Sequence, residues 1–213
     1  MKKKPLVGII DTQTSNIKSV YYALNQHDVD IDYISSAEYN KPVDAMVVPG
    51  IGNFSFVMGK LKENKFDKLI ENNISKNIPS LFICVGMQIL FTKSYEFGEH
   101  NGLNIFNGQI KKIPHEDKDK KKIRNIPMIG WNKVKTQSKS EIFKEIKQNS
   151  FFYFTHSFYA DPEDKKIISS TSDYLGFEYC SSISEKKIFA TQFHPEKSGE
   201  IGLKIYKNFI NAI

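Results

Sequence analysis

Apolar and polar positions alternate along the chain in blocks that switch between two periods. Leu6 to Ile10 is a short apolar run, and Asn16 to Asn25 then spaces Ile17, Val20, Tyr21 and Leu24 at helical intervals, which predicts a strand followed by a helix. Val29 to Ile34 alternates as an edge strand does. Ala45 to Val48 reads as a buried strand closed by Pro49-Gly50-Ile51-Gly52, and helical patterns run over Phe56 to Leu61 and Phe66 to Ile74. Pro79 opens an apolar strand that stops at Cys84, with a helical pattern expected over Met87 to Thr92. Strands alternating with helices imply a parallel sheet with right-handed crossovers, whose ligands bind beyond the carboxyl ends of the strands. Both Gly50-Ile51-Gly52 and Cys84 fall at such ends.

The second half has a different texture. Leu103 to Ile113, Trp131 to Lys135, Ser150 to Thr155, Lys166 to Thr171, Phe177 to Ser182 and Ile188 to Gln192 are short, aromatic or β-branched, and separated by turn residues. These predict strands, some antiparallel. A last helix is expected over Gly202 to Ile210, with Leu203, Tyr206 and Ile210 on one face. The expected fold class is therefore α/β, with a mostly parallel central sheet flanked by helices and extra antiparallel strands in the C-terminal half.

Composition narrows the picture. A chain of 213 residues with 40% hydrophobic residues and no break in composition is expected to form one domain over residues 1–213. The net charge of +6 would fit a nucleic-acid partner, but the lysines are scattered among acids, as in His115 to Lys122, which reads as a solvated loop. A phosphate-tracking groove would cluster arginines and aromatics on one face, so no nucleic acid is expected. Two distant cysteines, no secretory segment after Met1 and no apolar run of membrane-spanning length point to a reducing cytoplasm and no membrane.

Chemistry concentrates at Cys84. It reads as a nucleophile on a strand-to-helix turn, where Gly86 leaves room for the tight backbone, or as a small buried hydrophobe, the commonest fate of a free cysteine. A nucleophilic thiol needs a base, and the base needs a group to orient its imidazole. Phe193-His194-Pro195-Glu196 offers both at the end of a strand, although the same residues also make an ordinary capped helix start. His156 is a second candidate base, with a binding residue or a satisfied buried histidine as its other readings. His27, His100 and His115 read as surface residues. Histidines and cysteines never come at ligand spacing, so no metal and no cofactor are expected.

Three separated motifs, Pro49-Gly50-Ile51-Gly52, Cys84-Val85-Gly86-Met87-Gln88 and Phe193-His194-Pro195-Glu196-Lys197, together resemble the class I glutamine amidotransferases. Pro127 to Asn132, Tyr153 to Tyr159 and the helix start at Asn16 narrow the resemblance to the glutaminase subunits of imidazole glycerol phosphate synthases, and it covers essentially the whole chain. The resemblance implies Cys84 as nucleophile, His194 as general acid and base, and Glu196 as the residue that orients it. It further implies an oxyanion hole around Gly50, Gly52 and Val85, and glutamine binding at Gln88, His156 and Ser157. Pro127, Trp131, Asn132 and Lys197 would face a partner, a (β/α)₈-barrel cyclase or synthase subunit. Three departures carry expectations of their own. Phe82 replaces a usual glycine beneath the cysteine, which predicts a differently shaped backbone there and, in the extreme, a silent binding subunit. Met128 replaces a common histidine, and the loop from Asp11 to Asn16 lacks the usual glycines and tyrosine. These two leave room for a paralogue that feeds ammonia to a sugar-modifying synthase.

Overall fold

A computed structural model describes residues 3–13, 16–36, 38–116, 123–137 and 140–213. The first half alternates as its periods predict: β1 (Leu6–Ile10), α1 (Ile17–Leu24), β2 (Asp30–Ile34), β3 (Ala45–Gly50), α2 (Phe54–Glu63), α3 (Phe66–Ser75) and β4 (Ser80–Cys84). A single helical turn, α4 (Val85–Gln88), follows the cysteine. Then come β5 (Phe91–Ser94), β6 (His100–Asn101), β7 (Phe106–Lys112), β8 (Met128–Thr136), β9 (Ser150–His156), β10 (Phe158–Pro162), β11 (Ile168–Tyr174), β12 (Phe177–Glu185), β13 (Ile188–Thr191) and α5 (Gly199–Ile210).

The main sheet runs β2-β1-β3-β4-β13-β12-β10-β7-β5-β6. Its first five strands are parallel, and β12, β10 and β7 continue it antiparallel. The expected mostly parallel sheet with an antiparallel C-terminal extension is thus present. Every residue of β3, β4 and β13 is buried, as befits central strands covered on both faces. β2, the alternating strand, is the edge. Because Gly50 stands opposite Cys84 and Thr191 opposite Ile83, the three central strands end together on one rim.

The expected helix over Met87 to Thr92 is not formed. Its backbone is claimed from the side: the carbonyls of Ile89 and Leu90 accept the N–H groups of Leu103, Ile105 and Phe106, and Phe91 enters β5 as a partner of β7. Long-range pairing here overrides a helix-like apolar spacing. Leu103 to Ile105 belong to this tie and not to a strand, and β10 begins just two residues after β9.

β8 and β9 form a ribbon outside the main path, with Met128 opposite His156 and Trp131 opposite Tyr153. The segment entering it is fixed by Arg124, the chain's one arginine, which is fully buried and donates to the carbonyls of Pro114, Tyr174 and Leu175 at 2.9–3.2 Å. Its guanidinium also lies 5.5 Å from the centroid of the Phe177 ring. The lysine-rich stretch 117–122 and positions 14–15 of the first loop lie outside the described residues. Among the described residues, no helix is long and apolar enough to cross a membrane.

Candidate active site

The apolar run of β4 ends in a backbone kink. Cys84 has φ 56° and ψ −112°, a positive-φ conformation that is strained for any residue with a side chain. The turn is held by close backbone packing. A Cβ on Gly86 would lie 2.2 Å from the carbonyl oxygen of Val48, and one on Gly50 would lie 2.8 Å from the nitrogen of Gly86. Phe82 lies in the strand directly beneath this turn. It is fully buried, its backbone registered between Val48 and Ala190, and the strained cysteine stands two residues after this large side chain. With α4 only one turn long, its macrodipole is small.

His194 arrives at the same rim because β13 lies beside β4 in parallel register. Its backbone is pinned twice: its N–H donates to the Tyr153 carbonyl at 2.9 Å, and its own carbonyl accepts the Ser198 hydroxyl at 2.6 Å. Pro195 starts a short 3-10 turn that brings the Glu196 carboxylate to 2.7 Å from His194 Nδ1, with both side chains almost wholly buried. The carboxylate fixes Nδ1 as the protonated nitrogen, and Nε2 has no partner among the described residues. Burial alone would lower the His194 pKa, but the neighbouring Cys84 sulfur and the Glu196 carboxylate outweigh it and raise it to about 10.

His156 is in a different state. Its Nδ1 lies 2.8 Å from the Phe158 carbonyl, which can only accept, so Nδ1 carries the proton, and Nε2 faces the Tyr179 hydroxyl at 3.4 Å, whose one proton is shared between it and Met128 Sδ, also at 3.4 Å. Burial pushes its pKa down to about 4, which leaves it neutral near pH 7. With both ring nitrogens engaged, His156 gives the cavity a ring surface and no free hydrogen-bonding group. Of the two candidate bases, His194 alone has a ring nitrogen left over.

A cavity of about 210 Å³ opens on Cys84 and is walled by Ile51, Gly52, Val85, Gln88, Glu96, Pro127, Thr155 to Phe158 and His194. That is below the roughly 300 Å³ at which drug-sized sites begin, a size suited to one amino acid. Gly50 is not on the wall. It lies below, opposite Cys84 in the sheet, while Ile51 and Gly52 reach the cavity.

Two residues at the site were not singled out by the sequence. Glu96, in the loop between β5 and β6, joins the wall while its carboxylate accepts the Phe54 N–H at 2.6 Å, at the N-terminus of α2. Partial burial raises its pKa. Gln192 is fully buried beside the cysteine, with Nε2 3.6 Å from Cys84 Sγ. A polar residue closing the apolar run Ile188 to Thr191 was the available signal for it. Nothing set Glu96 apart from Glu99.

The expected partner-facing residues divide by strand alternation. Ile129, Trp131 and Lys133 point outward from β8, and Trp131 is 55% exposed. Trp131 packs edge-on against Tyr153, whose ring also carries the Lys197 ammonium at 5.9 Å. Asn132 lies on the opposite face and donates to the Asp173 carbonyl at 2.8 Å. Met128 is buried on that same inner face, so its replacement of a histidine does not alter the exposed ribbon.

The sequence family described as glutamine amidotransferase class-I matches residues 8–213. The chain belongs to the class I glutamine amidotransferases. It is similar to imidazole glycerol phosphate synthase subunit HisH from Dehalococcoides mccartyi, 39% identical over 96% of each chain. The subunit of the same name from Pyrococcus furiosus is 40% identical, over 95% of this chain and 97% of that one. Solved amidotransferase structures share the fold at much lower identity. PurLQS from Thermotoga maritima superposes with a TM-score of 0.73 at 16% identity over 98% of each chain. A glutamine amidotransferase from the same organism gives 0.64 at 19% identity, over 90% of this chain and 76% of that one. The amidotransferase fold thus extends across relatives that share few residues.

Proposed function

We propose that this amidotransferase is the glutaminase subunit of an imidazole glycerol phosphate synthase, acting in the cytoplasm as one domain over residues 1–213. Glutamine is its substrate, and it passes ammonia to a (β/α)₈-barrel cyclase subunit in histidine biosynthesis. The observation that carries the chemistry is the strained Cys84 sharing a buried rim with a histidine fixed by a carboxylate 2.7 Å away.

The Cys84 sulfur attacks the side-chain amide carbon of glutamine, and the C–N bond breaks as His194 gives its proton to the departing ammonia. The thioester that remains is hydrolysed by water, which loses a proton back to His194 and releases glutamate. Glu196 holds the imidazole in the tautomer that leaves Nε2 toward the reaction. The Val85 N–H and the backbone at Gly52 donate to the oxyanion, and Gly50 allows the approach of the two segments. Each such donor is worth about 3 kcal/mol in comparable sites, so misalignment of one by an unfilled interface is enough to hold the activity low.

Three groups on the cavity wall orient the substrate. The Glu96 carboxylate suits the α-ammonium of glutamine, and Ser157 and the oxygen of Gln88 complete the polar set. Pro127 at the mouth, with the Trp131, Tyr153 and Lys197 cluster beyond it, forms the docking face that keeps ammonia from water. Asn132 supports this face from behind.

The test is glutamate release by the purified chain alone, with a histidine-pathway cyclase subunit, and with Cys84→Ser as control. Low activity alone and strong, Cys84-dependent stimulation by the cyclase are expected. Stimulation only by a sugar-modifying synthase would overturn the choice of partner, and absence of Cys84-dependent release with either would overturn the enzymatic reading.

A further inference from the structure

The sulfur of Cys84 receives a chain of hydrogen bonds whose direction the structure fixes, and also lies 4.0 Å from the Thr155 carbonyl. The Phe158 carbonyl can only accept, so the end of Gln88 that lies 3.2 Å from it is the amide nitrogen. That same nitrogen is 2.9 Å from Gln192, which must therefore present its oxygen. The Gln192 nitrogen is left facing Cys84 Sγ at 3.6 Å, an ordinary length for N–H donation to sulfur. Phe158 is itself held from the other side by the Nδ1–H of His156. All three side chains of the chain, Gln88, Gln192 and His156, are buried.

We propose that Gln192 is a further catalytic residue, donating an N–H to the Cys84 sulfur and fixing its direction of attack, and that Gln88 acts on the sulfur through Gln192 as a positioning residue. The role rests on Cys84 being the nucleophile of the proposed glutaminase. A donor on the side away from substrate holds the sulfur and keeps it from rotating out of line. It also commits both protons of the Gln88 amide within the protein, so that only its oxygen is left for a ligand.

The experiment separates this role from the activity itself by reading the sulfur without glutamine. The full-length protein is treated with iodoacetamide at pH 7 and the rate of Cys84 alkylation followed by mass spectrometry, with the buried Cys180 as internal reference. Gln192→Met removes the donor at similar volume, and Gln192→Glu puts an acceptor in its place. Both are expected to slow Cys84 alkylation about 10-fold or more, the factor that one hydrogen bond to a charged group supplies. Gln88→Met is expected to slow it too, with the double variant no slower than Gln192→Met alone. In glutamine turnover with the partner subunit, Gln192→Met should lower kcat about 10- to 100-fold with KM within about twofold. Alkylation within twofold of wild type by a folded Gln192→Glu or Gln192→Met variant overturns the role of Gln192, and additive effects overturn that of Gln88. If wild type releases no glutamate while the alkylation results hold, the assigned reaction fails and the Gln192 contact stands.

Discussion

The backbone of Gly86 passes so near Val48 that a β-carbon on it would come within 2.2 Å of the Val48 carbonyl oxygen. Neither partner can yield, because the contact is between main chain and main chain at the centre of the sheet. Gly86→Ala is therefore expected to destabilise the fold by about 3 kcal/mol or more, the upper end of what overpacking costs. Gly59, exposed in the middle of α2 with open space around its Cβ, is the control. Gly59→Ala should stabilise by roughly 0.5–1 kcal/mol by relieving glycine's entropy. Denaturant midpoints of the two variants, moving in opposite directions, check both.

The His194 and Glu196 pair predicts a pH signature. Burial works against the proton on His194, and the Cys84 sulfur and the Glu196 carboxylate together outweigh it, to about 10. A histidine raised in the folded state contributes stability that is complete below its ordinary 6.5 and is lost as pH rises through about 10. In Glu196→Gln the carboxylate is gone, and the imidazole should lose its proton at lower pH. The basic limb of the kcat/KM profile is expected to move down, with an overall loss of about 10²- to 10⁴-fold because the amide also permits the wrong tautomer. A basic limb that stays in place would show that Glu196 does not hold the proton.

The parallel half of the sheet, the closing helix and the placing of Cys84 and His194 each at the end of a strand were legible because each rests on local pattern, whereas the pairing of β4 with β13 that puts both on one rim is long-range. An apolar run, a proline or glycine at its end and the next period suffice. What was hidden depends on partners distant in sequence. Met87 to Thr92 has helical spacing, yet Leu103 and Ile105 claim its carbonyls from more than ten residues away. Cys84 and His156 were each open to a bland reading, and only the structure separates them. His156 is buried with a partner near each ring nitrogen, and Cys84 is a strained residue over a cavity. Glu96 escaped notice because a lone carboxylate carries no spacing signal, and Gln192 because its one signal, a polar residue closing a buried strand, names no chemistry. Asn132 shows the limit of reading interface residues as a block, since its neighbour Trp131 points out while it points in.

Glu96 is the one carboxylate on the cavity wall beside Cys84 among the described residues. If it binds the α-ammonium of glutamine, Glu96→Gln should raise KM about 10- to 100-fold while changing kcat less, since a charged hydrogen bond is lost in both ground and transition states. Because burial raises the carboxyl above its ordinary 4.5, KM in wild type should already climb as pH falls toward that value, and the variant should show no such climb. A glutamine analogue lacking the α-amino group gives the second reading. Wild type should discriminate against it and Glu96→Gln should do so far less. Equal discrimination by both proteins would remove Glu96 from the binding set.

His156 sets a limit on acid stability. Its ring is held neutral by burial with its pKa pushed down to about 4, whereas an unfolded chain takes up the proton near 6.5. Between those values the unfolded state binds more protons than the folded one, so stability falls as pH falls through that window and levels off below it. A displacement of that size corresponds to about 3 kcal/mol for a fully buried ring. His156→Phe, which keeps an aromatic ring beside Phe154 but cannot titrate, should cost stability at pH 7 through the lost contacts to Phe158 and Tyr179. Its stability should then change less steeply than that of wild type from pH 6.5 to 4. Parallel slopes in urea titrations across that range would mean that His156 is protonated within the fold, and that its Nε2 contact with Tyr179 opens in acid.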